Sequence, residues 1–291
     1  MDILLQLTFA GIGMGSIYAL VALGLVLIYR ATSVVNFAQG DFAMFAAFLM
    51  VLAHLHLGLP YWASFLVALA GMVAFGLIFN YGVYYPLRNR SYLPVLISTL
   101  GASIVIQNSV LAAYGPHPAN LPGALSFQGF QVGSVFLDGQ YLVIIAATAA
   151  LVLLQHLFFE KTIVGKQLQA TSQDKEMASL LGVPVKIMIA ITFIYSAVLG
   201  GVAGVLVGPI IYVSIGMGGA IALKAFAATI IGGFGDIKGA IIGGVVLGII
   251  ETFGAAFISV PYKDAFAFIV LFAFLMVRPQ GIFGEKIAEK A

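Results

Sequence analysis

The chain has 291 residues, of which 62% are hydrophobic and only 8% charged, with a net charge of +2 and a mean hydropathy of +1.11. Soluble domains carry about 25% charged residues, and none could hide this much apolar surface, so the composition specifies a polytopic membrane protein. The small net charge gives no basis for nucleic-acid binding, and the absence of cysteine excludes disulfides, thiolate metal sites and cysteine catalysis.

The N-terminus, Met1-Asp2-Ile3-Leu4-Leu5-Gln6, is acidic where a cleavable signal needs positive charge, so the first apolar segment is expected to stay as a span. Ile3 to Tyr29 is 27 residues without a charge, ended by Arg30; Gly11, Gly13, Gly15 and Ser16 give it a small face for close packing. Phe42 to Leu87 is 46 uncharged residues, too long for one span, and Gly58-Leu59-Pro60 divides it in two before Arg88 and Arg90. From Ser91 another uncharged run begins, of which only the part to about Tyr114 reads as a span. Gly115-Pro116-His117-Pro118 breaks it, and the loop 115–138 is expected to be exposed, with hairpin character after Asn120. Gly139 to Phe159 is the next span.

The stretch 160–186 does not belong in a membrane. It holds Glu160, Lys161, Lys166, Asp174, Lys175, Glu176 and Lys186, which is 7 of the 24 charged residues. Thr171 and Asp174 fit the start of a helix, where hydroxyl and carboxylate satisfy free N–H groups. Gly182 suits the left-handed residue that ends a helix, and Pro184 forbids its continuation. The spacing predicts a helix over Ser172–Leu181 with Met177, Leu180 and Leu181 on one face. Such an apolar face suits docking into a partner's groove; the competing reading is a solvated loop with a short surface helix.

Beyond it, Ile187 to Val213 is a long helix candidate ending near Gly208-Pro209. Gly216 to Gly239 is short and glycine-interrupted, either a span or a re-entrant half-helix. Ala240–Ser259 and Ala265–Val277 are the last two spans, for eight or nine in all. Gln39-Gly40-Asp41-Phe42 and Phe234-Gly235-Asp236-Ile237 form a weak internal echo of the kind that repeats leave in transporters. Arg30, Arg88, Arg90, the four lysines of 160–186, Arg278, Lys286 and Lys290 fall on one side of this topology. The bias of Lys and Arg toward the cytoplasm then sets the N-terminus outside, the C-terminus inside and the loop 115–138 outside.

Polar groups at membrane depth usually face a bundle interior or a water-filled path. The densest cluster is Thr32, Ser33, Asn36, Gln39, Gly40 and Asp41, between two apolar helices. Broken helix ends of this kind bind substrates in transporters; the alternative is a cytoplasmic turn with Asn36 or Asp41 capping the next helix. Ser98, Thr99, Ser103, Gln107 and Asn108 are spread along one span, as glue between helices or as pathway residues. Candidate pathway residues are therefore Asn36, Gln39, Gly40, Asp41, Ser98, Gln107 and Asn108. His54 and His56 read as interfacial anchors rather than metal ligands. Lys224 and Glu251 are isolated charges for which an ion pair or snorkelling is expected ahead of a proton relay.

Gly15-Ser16-Ile17-Tyr18-Ala19-Leu20, running on to Asn36-Phe37-Ala38-Gln39-Gly40-Asp41-Phe42, resembles the N-terminal signature of bacterial LivH-type permeases. These are membrane subunits of ABC importers for branched-chain amino acids. The resemblance extends to Gly232-Gly233-Phe234-Gly235 and to the closing Arg278-Pro279-Gln280-Gly281-Ile282-Phe283-Gly284. Glu176-Met177-Ala178-Ser179-Leu180-Leu181-Gly182 is similar to the coupling motif Glu-Ala-Ala-x-x-x-Gly of importer permeases, with Met177 replacing its second residue. What the resemblance implies is an all-α helical bundle of the ABC importer permease fold, one transmembrane domain over 1–291, in the bacterial inner membrane. It implies that Asp174, Glu176, Met177, Ala178, Leu180, Leu181 and Gly182 form the ATPase coupling surface. The implied partners are a second, LivM-like permease, LivG-like and LivF-like ATPase subunits, an extracytoplasmic amino-acid-binding protein and membrane lipid, with no nucleic acid.

No G-x-x-x-x-G-K-[S/T] phosphate loop occurs in the chain, so ATP and Mg are expected on the partner subunits, with no cofactor and no enzymatic site in this one. A secondary transporter or channel for amides or urea is the competing function; its coupling acids would have to be Asp41, Asp236 or Glu251. An intramembrane enzyme would need a catalytic base near a nucleophile, and His54, His56, His117 and His156 all fall near span ends.

Overall fold

The computed structural model describes residues 2–124, 129–132 and 135–283. In chain order the elements are α1 (Asp2–Thr32), α2 (Gln39–Val51), α3 (Tyr61–Phe79), α4 (Tyr92–Tyr114), β1 (Gly129–Val132), β2 (Val135–Asp138), α5 (Gly139–Lys161), α6 (Ile163–Gln173), α7 (Lys175–Leu180), α8 (Val185–Ile211), α9 (Met217–Gly232), α10 (Ile237–Phe257) and α11 (Lys263–Val277). π-helical turns at Leu52–His56 and Asn80–Tyr84 extend α2 and α3. Apolar side chains dominate every long helix, and only helices satisfy their own backbone where no water is available.

Six of the helices are long and apolar enough to cross a membrane: α1, α3 with its extension to Leu87, α4, α5, α8 and α10. Three shorter apolar helices, α2, α9 and α11, complete the bundle. The segment 216–239 resolves into the 16-residue α9 and a turn. At 1.5 Å per residue α9 is about 24 Å long, short of a hydrocarbon layer of about 30 Å.

α1 and α8 form the buried centre, whereas α3, α4 and α5 expose most of their surface. α10 runs antiparallel to α1, and the two backbones nearly touch: a side chain at Gly15 would strike Val245 and the Gly244 carbonyl, and one at Gly248 would strike Gly15. Small residues at such crossings replace the hydrophobic drive that is missing between helices in lipid with close dispersion contact.

The two ends of the bundle differ. One carries α6, α7 and the turn 233–236. The other carries the 115–138 loop, where β1 and β2 pair antiparallel, as the hairpin expectation required. Ala119 also exchanges backbone hydrogen bonds with Val213 there, at 2.8 and 2.9 Å. Residues 125–128 and 133–134 of that loop, and Gly284, Lys286 and Lys290, lie outside the described residues. After α11 the chain returns to α9: Ile282 N–H donates to the Ile231 carbonyl and Phe283 N–H to the Gly232 carbonyl, both at 2.9 Å. Two sequence motifs, 232–235 and 278–283, thus meet, one satisfying the free carbonyls that end the other's helix.

His54 and His56 each place Nδ1 on a backbone carbonyl, that of Leu59 at 2.8 Å and of Val51 at 3.5 Å, in the π-helical turn that extends α2. The expected echo does not survive as a structural repeat. Asp236 caps α10 by accepting from Gly239 N–H, whereas α2 starts after Ala38 without a side-chain cap and Asp41 faces another helix. The two Gly-Asp pairs do different work, because one aspartate precedes its helix and the other lies inside it.

Candidate functional site

α1 stops at Thr32, whose hydroxyl donates to the Ile28 carbonyl at 2.7 Å, and Ser33 adopts φ +61. A non-glycine residue in the left-handed region turns the chain sharply out of the helix. The returning strand of chain is then held by side chains. Asn36 Oδ1 accepts from Ala38 N–H at 3.1 Å, and Asn36 Nδ2 donates to Gln39 Oε1 at 3.4 Å. Gln39 Nε2 reaches the Ser196 carbonyl on α8 at 3.4 Å. The Ser196 hydroxyl lies 2.9 Å from both Gln39 Oε1 and the Gly24 carbonyl of α1, and its single proton serves one at a time. Asn36, Gln39 and Ser196 are all buried.

Gly40 brings the start of α2 onto the start of α9: any side chain at Gly40 would overlap the Gly218 carbonyl. Asp41, one residue on, is also buried and accepts from Gln107 Nε2 of α4 at 2.9 Å. The same amide nitrogen donates to the Ser103 hydroxyl at 3.1 Å. Phe37 N–H donates to the Thr99 hydroxyl at 3.3 Å, a second tie to α4. A polar network drawn from α1, α2, α4 and α8, against the start of α9, therefore occupies the interior of an apolar bundle.

Of the expected pathway residues, Asn36, Gln39, Gly40, Asp41 and Gln107 come together. Ser98 and Asn108 do not: each bonds a carbonyl of its own helix, Val95 at 2.7 Å and Ile104 at 2.8 Å, and Asn108 is exposed on the chain's surface. They lie on other faces of α4, since Asn108 follows Gln107 by about 100° of helical turn. Asn36 acts as a local turn acceptor, and Asp41 bonds across to α4 instead of capping α2. Sequence reasoning missed Ser196 and Gly24. Ser196 was visible as a polar residue in a long apolar helix, but nothing in its spacing tied it to Gln39.

Lys224 and Glu251 form a second cluster. Lys224 Nζ lies 2.7 Å from Glu251 Oε1 and 2.7 Å from Asp264 Oδ1, and Lys263 Nζ lies 3.3 Å from Glu251 Oε1. Lys224 also donates to the Tyr18 hydroxyl at 3.4 Å. The ion pair expected for Lys224 is present, and it joins α1, α9, α10 and α11.

In the 160–186 segment the expected single helix Ser172–Leu181 is two helices. α6 ends at Gln173; Thr171 is buried in its last turn and donates to the Gln167 carbonyl instead of starting a helix. Asp174 is the true cap. Its extended backbone breaks the helix, and its carboxylate accepts from Glu176 N–H at 2.9 Å and Met177 N–H at 3.0 Å. Gly182 ends the short helix at φ +83, as its position required. Met177, Leu180 and Leu181 are 56%, 82% and 78% exposed, while Ala178 is buried. Burial draws the Lys175 ammonium below the ordinary lysine pKa. Among the described residues no three His, Asp or Glu side chains converge as a metal site.

A multi-helix membrane body with a buried polar network and a charged segment at one end defines a polytopic permease. The chain belongs to the family described as branched-chain amino acid transport system, permease component, which matches residues 7–275. It is 35% identical to the high-affinity branched-chain amino acid transport system permease protein LivH of Escherichia coli (strain K12), over 98% of this chain and 97% of that one. It is 33% identical to the permease protein BraD of Pseudomonas aeruginosa, with the same two coverages. The solved structure of PsaBC from Streptococcus pneumoniae in complex with Fab shares the fold, with a TM-score of 0.52 and 16% identity over 94% of this chain and 92% of that one.

Proposed function

We propose that this permease forms one half of the translocation pathway of an ATP-driven importer of branched-chain amino acids. Resemblance along almost the whole chain to permeases named for that substrate carries the reading. The pathway runs beside Asn36, Gln39, Gly40, Asp41 and Gln107, a hydrogen-bonding surface in an otherwise largely apolar body. A related second permease completes it, an extracytoplasmic binding protein delivers the substrate, and two separate ATPase subunits bind ATP and Mg. The N-terminus lies outside and the C-terminus in the cytoplasm, in line with the clustering of Arg30, Arg88, Arg90, Lys161, Lys166 and Arg278 toward one end.

α7 is the docking helix for the ATPase. Three large apolar side chains stand exposed on a charged segment, and burying each in a partner's groove contributes about 1.5–3 kcal/mol. The test is reconstitution of the complete assembly in liposomes with leucine-loaded binding protein. Leucine uptake that needs ATP and all subunits is the expected result; uptake by this chain alone, driven by an ion gradient, overturns the reading.

A further inference from the structure

Asp41 is 2% exposed, yet the side chains on its carboxylate are neutral, the Gln107 amide at 2.9 Å and the Ser103 hydroxyl. In the bundle, Lys224 and Lys263 pair with Glu251 and Asp264. Among the described residues no lysine or arginine pairs with Asp41. Burying a carboxylate is normally offset by a cation or by several N–H donors. The first turn of α2 supplies part of that compensation through the helix dipole. A full positive charge is still missing.

α4 covers this carboxylate. Of its 23 residues only Val95, Thr99, Ile106 and Val110 are buried. Side chains of α4 tie it to the site, Gln107 and Ser103 on Asp41 and the Thr99 hydroxyl accepting from Phe37 N–H. Around the position of Gln107 Nε2 two acceptors converge, the Asp41 carboxylate at 2.9 Å and the Ser103 hydroxyl oxygen at 3.1 Å. An ammonium group has three N–H donors and a charge, so it satisfies both acceptors and supplies what the amide lacks.

We propose that the Asp41 carboxylate is the acceptor for the α-ammonium group of the transported amino acid, and that the Gln107 amide stands in for that group while α4 covers the site. This rests on the reading of the Asn36–Asp41 cluster as part of the pathway. It assigns the site to solutes bearing a protonated amine; neutral amides and urea forfeit the charged contact.

The test is ATP-driven uptake of labelled leucine by the complete transporter in liposomes, at saturating loaded binding protein, with ATPase co-purification as the measure of assembly. Asp41→Asn keeps the shape and removes the charge; uptake should fall at least about tenfold, the scale of one charge-assisted hydrogen bond. Asp41→Glu should recover part of it. If Asp41→Asn transports within about twofold of the parent while Gln39→Leu abolishes uptake, the ammonium role is overturned and the pathway reading stands. Should both variants transport normally, the pathway reading fails and takes this proposal with it. Where Asp41→Asn does not assemble, Asp41→Glu, which keeps the charge, decides. Partial uptake by an assembled Asp41→Glu transporter supports the proposal; loss of uptake there, or failure of both variants to assemble, means that Asp41 exists to hold α4, and overturns it.

Discussion

Two polar clusters sit inside this apolar bundle, and they are built on opposite principles. The cluster of Lys224, Glu251, Lys263 and Asp264 is charge-balanced, two cations against two carboxylates, and ties together α1, α9, α10 and α11. The cluster of Asn36, Gln39, Ser196, Ser103, Gln107 and Asp41 is made of amides and hydroxyls around one carboxylate, with no cation on it among the described residues. The first balances its charges, although Glu251 Oε2 is buried without a hydrogen bond. The second is satisfied hydrogen bond by hydrogen bond but not charge by charge. What separates the two clusters is thus not a buried charge, which both contain, but whether that charge is balanced within the cluster.

The sharpest way to break this comparison is to unbalance the closed cluster. Glu251→Leu leaves the buried Lys224 ammonium with only the exposed Asp264 carboxylate, and losing one partner of a buried pair costs up to about 3–5 kcal/mol. A large drop in the thermal melting temperature of the purified subunit is expected, and Lys224→Met combined with Glu251→Leu should recover much of it. An unchanged melting temperature with uptake lost would move this cluster from scaffold to pathway.

Gln39→Leu probes the open cluster. Ser196 keeps the Gly24 carbonyl as an acceptor in this variant, so only about 1–3 kcal/mol of stability should go. Leucine uptake should nevertheless fall by about tenfold or more, the scale of one lost contact on the path. Equal losses of stability and uptake would make Gln39 an ordinary helix tie.

Leu180→Asp touches neither cluster and serves as the outside reference. An exposed side chain replaced on the surface should change subunit stability by about 0.5 kcal/mol or less. Retention of the ATPase subunits on purification should be lost, because a carboxylate enters an apolar contact. Retained ATPase and normal uptake would make α7 a plain loop element. The smallest effect is expected from Asp174→Ala, which removes the α7 cap and costs about 1 kcal/mol locally. It should weaken stimulation of ATPase activity by loaded binding protein without abolishing it.

Much of this protein was legible in its sequence. The length and purity of the apolar runs determined that it is a bundle of membrane helices, since a chain in lipid has to satisfy its backbone within each segment. Charge breaks marked the span ends, and Gly182 announced the end of α7, because a positive φ there is cheap only for glycine. The Asn36–Asp41 break was visible as polar groups where apolar ones belong. Other features only the tertiary structure decided. Helical spacing allowed Thr171 to cap a helix, but packing buried it in α6 and left Asp174 to make the turn. Ser98, Gln107 and Asn108 were equivalent as polar residues on one span; the azimuth of α4 against α2 selected Gln107 for Asp41 and turned Asn108 outward. Ser196 met Gln39 across 157 positions of sequence, a contact set by how α8 crosses α1 and α2. Local pattern reports what a segment must bury, whereas which groups meet depends on helix rotation and crossing, and those follow from the packing of all the helices at once.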